Sequence, residues 1–414
     1  MNLSSINLSS IKAKLLVGGI ILILLPLIIS GFLSYRKSHQ ALLDMSKQTA
    51  QDVASDLSRM TKKVIDGDLF LASSMAAEKH VVDIAQAVND NGAEAVTNEI
   101  AVAFEDLKGQ FARLDKHYQG IFIAGTDGIL FTGILDNGKE YKGSNISTRG
   151  YFKKARETKK TVVSEVVLSK STGKMIVVAC APILSKSNEF IGALGVVVRA
   201  EYFTNLIAER KVGETGYGYM INSKGILIAH PKQEFLLKLN ATTIDAMKSI
   251  TARMLAGETG VDAYTFKGTD KLAGFAPVGI NGWSISVTQN EDEVLKPSKD
   301  IRMFTQLLVL ISGAIAVVLI LLATRAIVGP INATVDGLKD ISKGDGDLTK
   351  RLEVKTKDEV GELSGEFNTF IDKLQGMIRE IVDGMTTLTA SSTELTAISQ
   401  GMSQSSQETS EKSN

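Results

Sequence analysis

Two long apolar runs without a charge decide what this chain can become. The first covers residues 15–35, between Lys14 and Arg36, and the second residues 303–324, between Arg302 and Arg325; they contain 21 and 22 residues. A helix rises about 1.5 Å per residue, so each run crosses a hydrocarbon core of roughly 30 Å. The first run exceeds the apolar stretch of about 7–15 residues in a cleaved leader, and Ser30-Gly31-Phe32-Leu33 is a poor cleavage site, so it reads as an anchor. Lys12 and Lys14 precede it without an acid, and Arg325 follows the second run. Both termini are therefore expected in the cytoplasm and the 267 residues of 36–302 outside the cell.

Bulk chemistry narrows the function classes. Lysine and arginine balance aspartate and glutamate at 46 each, which gives no basic face for a nucleic-acid partner. Cys180 stands alone, and His39, His80, His117 and His230 lack metal-ligand spacing. No phosphate loop, His-Glu-x-x-His or Ser/His/Asp grouping is present. No enzyme chemistry, cofactor or metal is expected.

The block between the spans opens with a helical stripe through Leu42, Met45, Thr49, Val53, Leu57, Met60 and Val64, and helical pattern continues to about Tyr118. Strand grammar follows, and it occurs twice. Asp127-Gly128-Ile129-Leu130 and Lys224-Gly225-Ile226-Leu227 lie 97 residues apart, each at a hairpin turn. Ala181-Pro182 and Ala276-Pro277 end later strands at nearly equal distances from those turns. Two tandem α+β modules are predicted, at about 120–201 and 213–291, each a small antiparallel sheet with helices to one side.

The segment from Gly213-Glu214-Thr215-Gly216-Tyr217-Gly218 to His230-Pro231 resembles the membrane-proximal signature of the double Cache sensor family. Ile146-Ser147-Thr148-Arg149-Gly150-Tyr151-Phe152 resembles its membrane-distal counterpart, and Gly282-Trp283-Ser284 its closing strand. The resemblance covers 36–302 and implies a long helix flanking two stacked PAS-like modules, the first (distal) binding a small extracellular ligand. It places a ligand clamp on Arg149 and Tyr151. A guanidinium suits this role, because its planar donor fork matches a carboxylate and stays charged. Ser147, Glu165 and Ser169 join the candidate set, with Asn145, Lys170 and Arg199 beside them. The amino-acid-binding subgroup cages an ammonium with a tyrosine and carboxylates, whereas Val167, Ser169 and Val197 stand at the matching positions here. By period-two alternation Glu165 is expected on the same strand face as Val167 and Ser169, where it would supply one acid. A small carboxylate or neutral ligand is expected ahead of an α-amino acid.

Residues 325–381 resemble a HAMP domain. Gly329-Pro330-Ile331 suits a helix start, with Ile331, Val335, Leu338 and Ile341 or Ser342 as its stripe. Gly344 and Gly346 break it, Leu348 and Val354 are expected to plug a bundle, and Lys357-Asp358-Glu359-Val360-Gly361-Glu362-Leu363 opens a second helix. Val360, Leu363, Phe367, Phe370, Leu374, Ile378 and Ile381 then form a coiled-coil seam. Two copies close a four-helix bundle, so a homodimer is expected. Residues 382–414 carry the stripe onward through Met385, Leu388, Leu395, Ile398 and Met402 in a Ser/Thr-rich context that resembles the start of a chemoreceptor's signalling hairpin. Such receptors engage a histidine kinase and its coupling adaptor through the hairpin tip, which this chain lacks. The expected architecture is an α+β membrane protein: two transmembrane helices flank the tandem sensor, and an α-helical coiled coil follows. A chemoreceptor is the leading class, with the sensor region of a histidine kinase or cyclic-dinucleotide enzyme receptor as the alternative; an anchored adhesin-like domain would not need the HAMP pattern.

Overall fold

The computed structural model describes residues 10–343 and 346–411. The chain forms two compact units, Ser34–Ile301 and the remainder, Met1–Leu33 with Arg302–Asn414.

Within the first unit, α1 (Ile11–Ala76) buries Ala50, Ala54, Leu57, Thr61, Ile65, Asp68, Ala72 and Met75 at steps of three and four. The predicted stripe shares only Leu57 with this face, and Met45 and Met60 are exposed. Small residues, Ala50, Ala54 and Ala72, share the buried side with Leu57, Ile65 and Met75. A Cβ on Gly274 would collide with the Ala50 backbone, so helix and sheet approach too closely for methionine there. Next, α2 (Lys79–Asn91) and α3 (Thr97–Phe111) complete the helical layer.

The first module contains β1 (Tyr118–Ala124), β2 (Leu130–Leu135), α4 (Gly150–Thr158), β3 (Val162–Val163), β4 (Val167–Leu168), β5 (Met175–Leu184) and β6 (Phe190–Arg199). Its sheet runs β2-β1-β6-β5, with β3 and β4 both paired to β5. Alternation divides two cores. Ile121, Ile123, Ala179, Ala181 and Val196 pack against α1, α2 and α3, while Phe122, Val178, Cys180 and Val197 pack against Tyr151 and Phe152 of α4.

After α5 (Ala200–Ala208), the second module repeats the plan with β7 (Tyr217–Ile221), β8 (Leu227–Ala229), α6 (Lys248–Leu255), β9 (Gly260–Phe266), β10 (Thr269–Pro277) and β11 (Ser284–Asn290). Its order, β8-β7-β11-β10-β9, follows the first sheet, with the single strand β9 where the first has the short β3 and β4. The registers agree as well. Pro182 faces Ala193 as Pro277 faces Ser284, and Ala124 faces Ala193 as Ile221 faces Ser284. Bridges Ile129–Asn145 and Ile226–Asn240 correspond as well, with Ile129 and Ile226 97 residues apart and Asn145 and Asn240 95 apart. The duplication predicted from short motifs is a duplication of hydrogen-bond ladders.

In the second unit, the apolar part of α1 meets α7 (Glu291–Lys343) as an antiparallel neighbour. Gly19 lies against Ile320, Gly313 against Leu24 and Gly31 against Thr305. Both membrane-length windows are almost wholly exposed within the protein, as lipid-facing helices must be. Pro330 lies inside α7 and not at a helix start, because the span and the following helix are continuous; a proline there removes one backbone hydrogen bond. Gly346 takes a left-handed φ of 66°, as a helix-ending connector requires, whereas Gly344 lies outside the described residues.

The connector is stapled to α8 (Glu359–Glu411) by Asn368, which accepts from the Leu352 amide at 2.8 Å and donates to the Leu352 carbonyl at 2.9 Å. Asp358 caps α8 by accepting from the Val360 and Gly361 amides, both at 3.2 Å. Ser364, Phe367 and Ile371 are buried on α8, with the Phe367 ring against Gly337 of α7. Of the predicted seam, Leu363, Phe370, Ile378 and Ile381 remain exposed, as do Val335, Leu338 and Val354. Half-buried Leu352, rather than Val354, is the connector leucine held to α8.

Candidate functional site

The predicted clamp lies where α4 begins. Arg149 is the residue preceding α4, with extended φ and ψ of −72° and 133°. Its Nη2 donates to the Leu168 carbonyl at 2.7 Å, which ties it to the turn between β4 and β5. Two more contacts join the same segments: Lys170 Nζ donates to the Asn145 carbonyl at 2.6 Å, and the Ser144 and Ser171 hydroxyls meet at 2.6 Å. The loop before α4 is thus latched to the β4–β5 turn by three polar contacts, two of them lysine or arginine on a backbone carbonyl. Each such contact is a charge-assisted bond to a neutral acceptor, which a carboxylate would improve on.

Tyr151 follows Arg149 and is buried among Phe122, Tyr141, Phe152 and Cys180. Burial pushes its hydroxyl far above the ordinary phenol range, so it acts only as a neutral donor or acceptor. Ser147 closes an Asx turn, its amide donating to Asn145 Oδ1 at 2.9 Å and its hydroxyl to the same atom at 2.6 Å. Arg149, Tyr151, Ser147, Asn145 and Lys170 therefore gather around one loop junction.

The remaining candidates depart from it. Glu165 accepts from Trp283 Nε1 of the second module at 3.0 Å, which gives it a structural contact instead of a place beside Val167. The expected alternation fails because the strand breaks between Val163 and Val167. Ser169 is buried and shapes its own turn, accepting from the Thr172 amide at 3.2 Å. Arg199 pairs with Asp136 and donates to the Lys116 carbonyl.

Three features escaped residue-type reasoning. Glu293, in the first turn of α7, accepts from the Glu214 amide at 2.7 Å, from the Thr215 amide at 2.9 Å and from the Thr215 hydroxyl. Partial burial opposes its ionisation, but the Thr215 hydroxyl, the two amides and Gln289 outweigh this and hold the carboxyl at about 2. Gly213, at a φ of 65°, leaves the space that Glu293 and Gln289 fill. The Gly-Glu-Thr-Gly segment is thus a carboxylate nest for the helix that continues into the second apolar run. Asp68 of α1 accepts from the Tyr118 hydroxyl at 2.8 Å, and burial raises its carboxyl to about 6. A cleft of about 810 Å³ separates the β4–β5 turn, through Leu168, Lys174 and Met175, from Leu236 and Leu237 of the second module.

Comparison with known proteins identifies two domains. Residues 34–298 match the double Cache (dCache_1) family, described as Cache domain, and residues 322–376 match the HAMP domain. Methyl-accepting chemotaxis protein McpA of Bacillus subtilis is 25% identical over 95% of this chain and 56% of its own length. Methyl-accepting chemotaxis protein PscA of Pseudomonas syringae is 23% identical over 64% of this chain and 41% of its own. The chain spans about half the length of these curated relatives. Among solved structures, the ligand-binding domain of Mlp24 with asparagine is similar at a TM-score of 0.45 and 19% identity, covering 64% of this chain and 99% of that one. With a family match across both modules and a HAMP match directly after the second apolar run, the chain belongs to the double Cache domain family and carries a HAMP domain.

Proposed function

We propose that the chain is the sensing and transmitting part of a transmembrane chemoreceptor. The carrying observation is the order of parts in one chain: apolar span, double Cache domain, apolar span, HAMP. Relatives similar over 95% and 87% of the chain are named as methyl-accepting chemotaxis proteins. In this reading residues 15–35 and 303–324 are the transmembrane helices, 36–302 faces outward, and 325–381 is a cytoplasmic HAMP domain. Residues 382–414 begin a signalling coiled coil that controls a histidine kinase with its adaptor. The exposed stripe of Leu363, Phe370, Ile378 and Ile381 is what a second copy would cover in a homodimeric bundle.

The ligand is a small carboxylate taken by the first module at Arg149, with Tyr151 and Ser147 beside it. It competes with the Leu168 carbonyl for the guanidinium, and a charged acceptor adds about 1.5–3 kcal/mol. Unlatching the β4–β5 turn alters one wall of the inter-module cleft. The second module then passes the change to α7 through the Glu293 nest. Such coupling needs only states separated by a few kcal/mol.

A chimera tests this: residues 1–381 joined to the signalling hairpin of a characterised chemoreceptor, with kinase activity measured against a panel of small carboxylates. One class should shift the activity, and Arg149→Ala should abolish that response without unfolding the protein. Constant kinase activity in a chimera that binds ligand would leave an anchored binding protein as the better account.

A further inference from the structure

The matched ladders permit comparison of the two modules position by position. Where the first module pairs Val167, Ile176 and Arg199, the second pairs Tyr264, Lys271 and Asn290. Where the first pairs Gly120 with Val197, the second pairs Tyr217 with Thr288. Directly paired residues project to the same face of a sheet, so Tyr264, Lys271, Asn290, Tyr217 and Thr288 share one face. In the first copy this face is aliphatic with a cation, Arg199, at its end; in the second the cation, Lys271, has moved to the middle strand and tyrosine and threonine replace aliphatic neighbours.

That face bears a cavity of about 20 Å³, walled by Tyr217, Tyr219, His230, Phe235, Tyr264 and Phe266. Lys271 is 7% exposed. Its ammonium donates to Asn290 Oδ1 at 2.7 Å and stands 5.1 Å from the centre of the Tyr217 ring. No carboxylate among the described residues pairs with it, and burial pulls its pKa down. A buried ammonium with only an amide and an aromatic face for company is missing its anion. The surroundings favour one. Lys232 and Lys267 lie 5.9 and 5.6 Å from the centre of the Phe235 ring. His230 Nδ1 accepts from the Lys232 amide at 2.8 Å, which leaves the ring proton on Nε2. The nearby acids are Glu234, which neighbours His230 electrostatically, and Asp270, which accepts from Thr265 at 2.7 Å.

We propose that the second module is itself a binding site for a small aliphatic carboxylate, held by Lys271 and Asn290 with its tail among Tyr217, Tyr264 and Phe266. An aromatic wall selects an organic acid over a hydrated inorganic anion, and a void of about one water's size admits only a short tail, and only as the surrounding rings move apart. Half-buried Phe235 and Phe266 are the rings that must shift to admit it.

The test uses the full chain in lipid nanodiscs, with sodium propionate as probe and sodium chloride at matched ionic strength as reference. Arg149→Ala is the background, so that the first module does not contribute, and thermal unfolding is read from Trp283 fluorescence. Propionate should raise the midpoint saturably. Adding Lys271→Met should weaken the apparent affinity at least tenfold, whereas Lys271→Arg should hold it within a few-fold. Should Lys271→Met lose its cooperative transition, Lys271→Gln serves in its place. The proposal fails if Arg149→Ala shows no saturable shift, or if the shift survives both Lys271→Met and Lys271→Gln. A wild-type shift that Arg149→Ala alone abolishes would assign propionate to the first module and leave the second without a site.

Discussion

The two modules share their central strand pairings and differ in where their polar groups lie. The first keeps its pocket-side sheet apolar, with Phe122, Val167, Ile176 and Val197, and places its polar chemistry on the loops before α4 and after β4. The second buries polar groups in the sheet itself: Lys271, Thr288, Ser286 and Tyr264. Loops held by exposed polar contacts open at little cost, whereas a sheet face opens only by repacking. One fold thus supplies a compliant half and a stiff half that grips the outgoing helix.

The largest test of that stiffness is Trp283, which is fully buried and donates to Glu165. By register its counterpart in the first module is Gly192, which has no side chain to offer. Trp283→Ala should destabilise the protein by about 3–5 kcal/mol, since a large void forms and a carboxylate loses its donor. Denaturant titration would measure this. A loss below 1 kcal/mol would remove the claim that the second module is the stiff half.

Asp68 gives the next largest effect and tests the seam where α1 meets Tyr118. Its carboxyl rises from 3.8 to about 6 through burial, so the folded state holds the proton more tightly than the unfolded chain. Stability from the protonated form is complete below pH 3.8 and is lost as pH rises through about 6. The penalty at neutral pH is on the order of 3 kcal/mol. Asp68→Asn keeps an oxygen for Tyr118 and should raise neutral-pH stability while flattening the slope between pH 4 and 6. An unchanged slope would mean that some other group sets it.

The fold was largely legible in the sequence. Two apolar runs, a repeated hairpin turn and a repeated Ala-Pro were enough, because each follows from local chain chemistry. The buried face of α1 was not, because Ala50 and Gly274 are chosen for close approach and a hydrophobicity count passes over small residues. Arg149, Tyr151 and Ser147 converge because a short motif carries them together. Glu165 was misplaced because alternation was carried through a break in the strand. Lys271 escaped notice because a lysine looks solvated until its neighbours across two ladders are known. Aligning the repeat residue by residue would have exposed it, since it stands where the first copy has Ile176.

The smallest expected change in stability accompanies the sharpest test of the division of labour. Glu293 is partly exposed, and its two oxygens accept separately from the Glu214 and Thr215 amides, so replacing the carboxylate with an amide keeps an acceptor for only one of them. Glu293→Gln should therefore cost about 1 kcal/mol. Its carboxyl is held at about 2, below its ordinary value of 4.5, so the stability it adds is present above pH 4.5 and lost as pH falls toward 2. The variant should lose that acid dependence. Ligand affinity at Arg149 should be unchanged, because the nest lies in the other module. Output should not be unchanged. If α7 is moved by its grip on the Gly213 segment, the Glu293→Gln chimera should bind carboxylate normally and shift kinase activity less than the parent does. Arg149→Ala should show the opposite signature, with binding lost and the basal kinase activity kept. A Glu293→Gln chimera whose response matches the parent's at equal occupancy would place the transmitting contact elsewhere, with α1 as the remaining helix that links sensor and membrane.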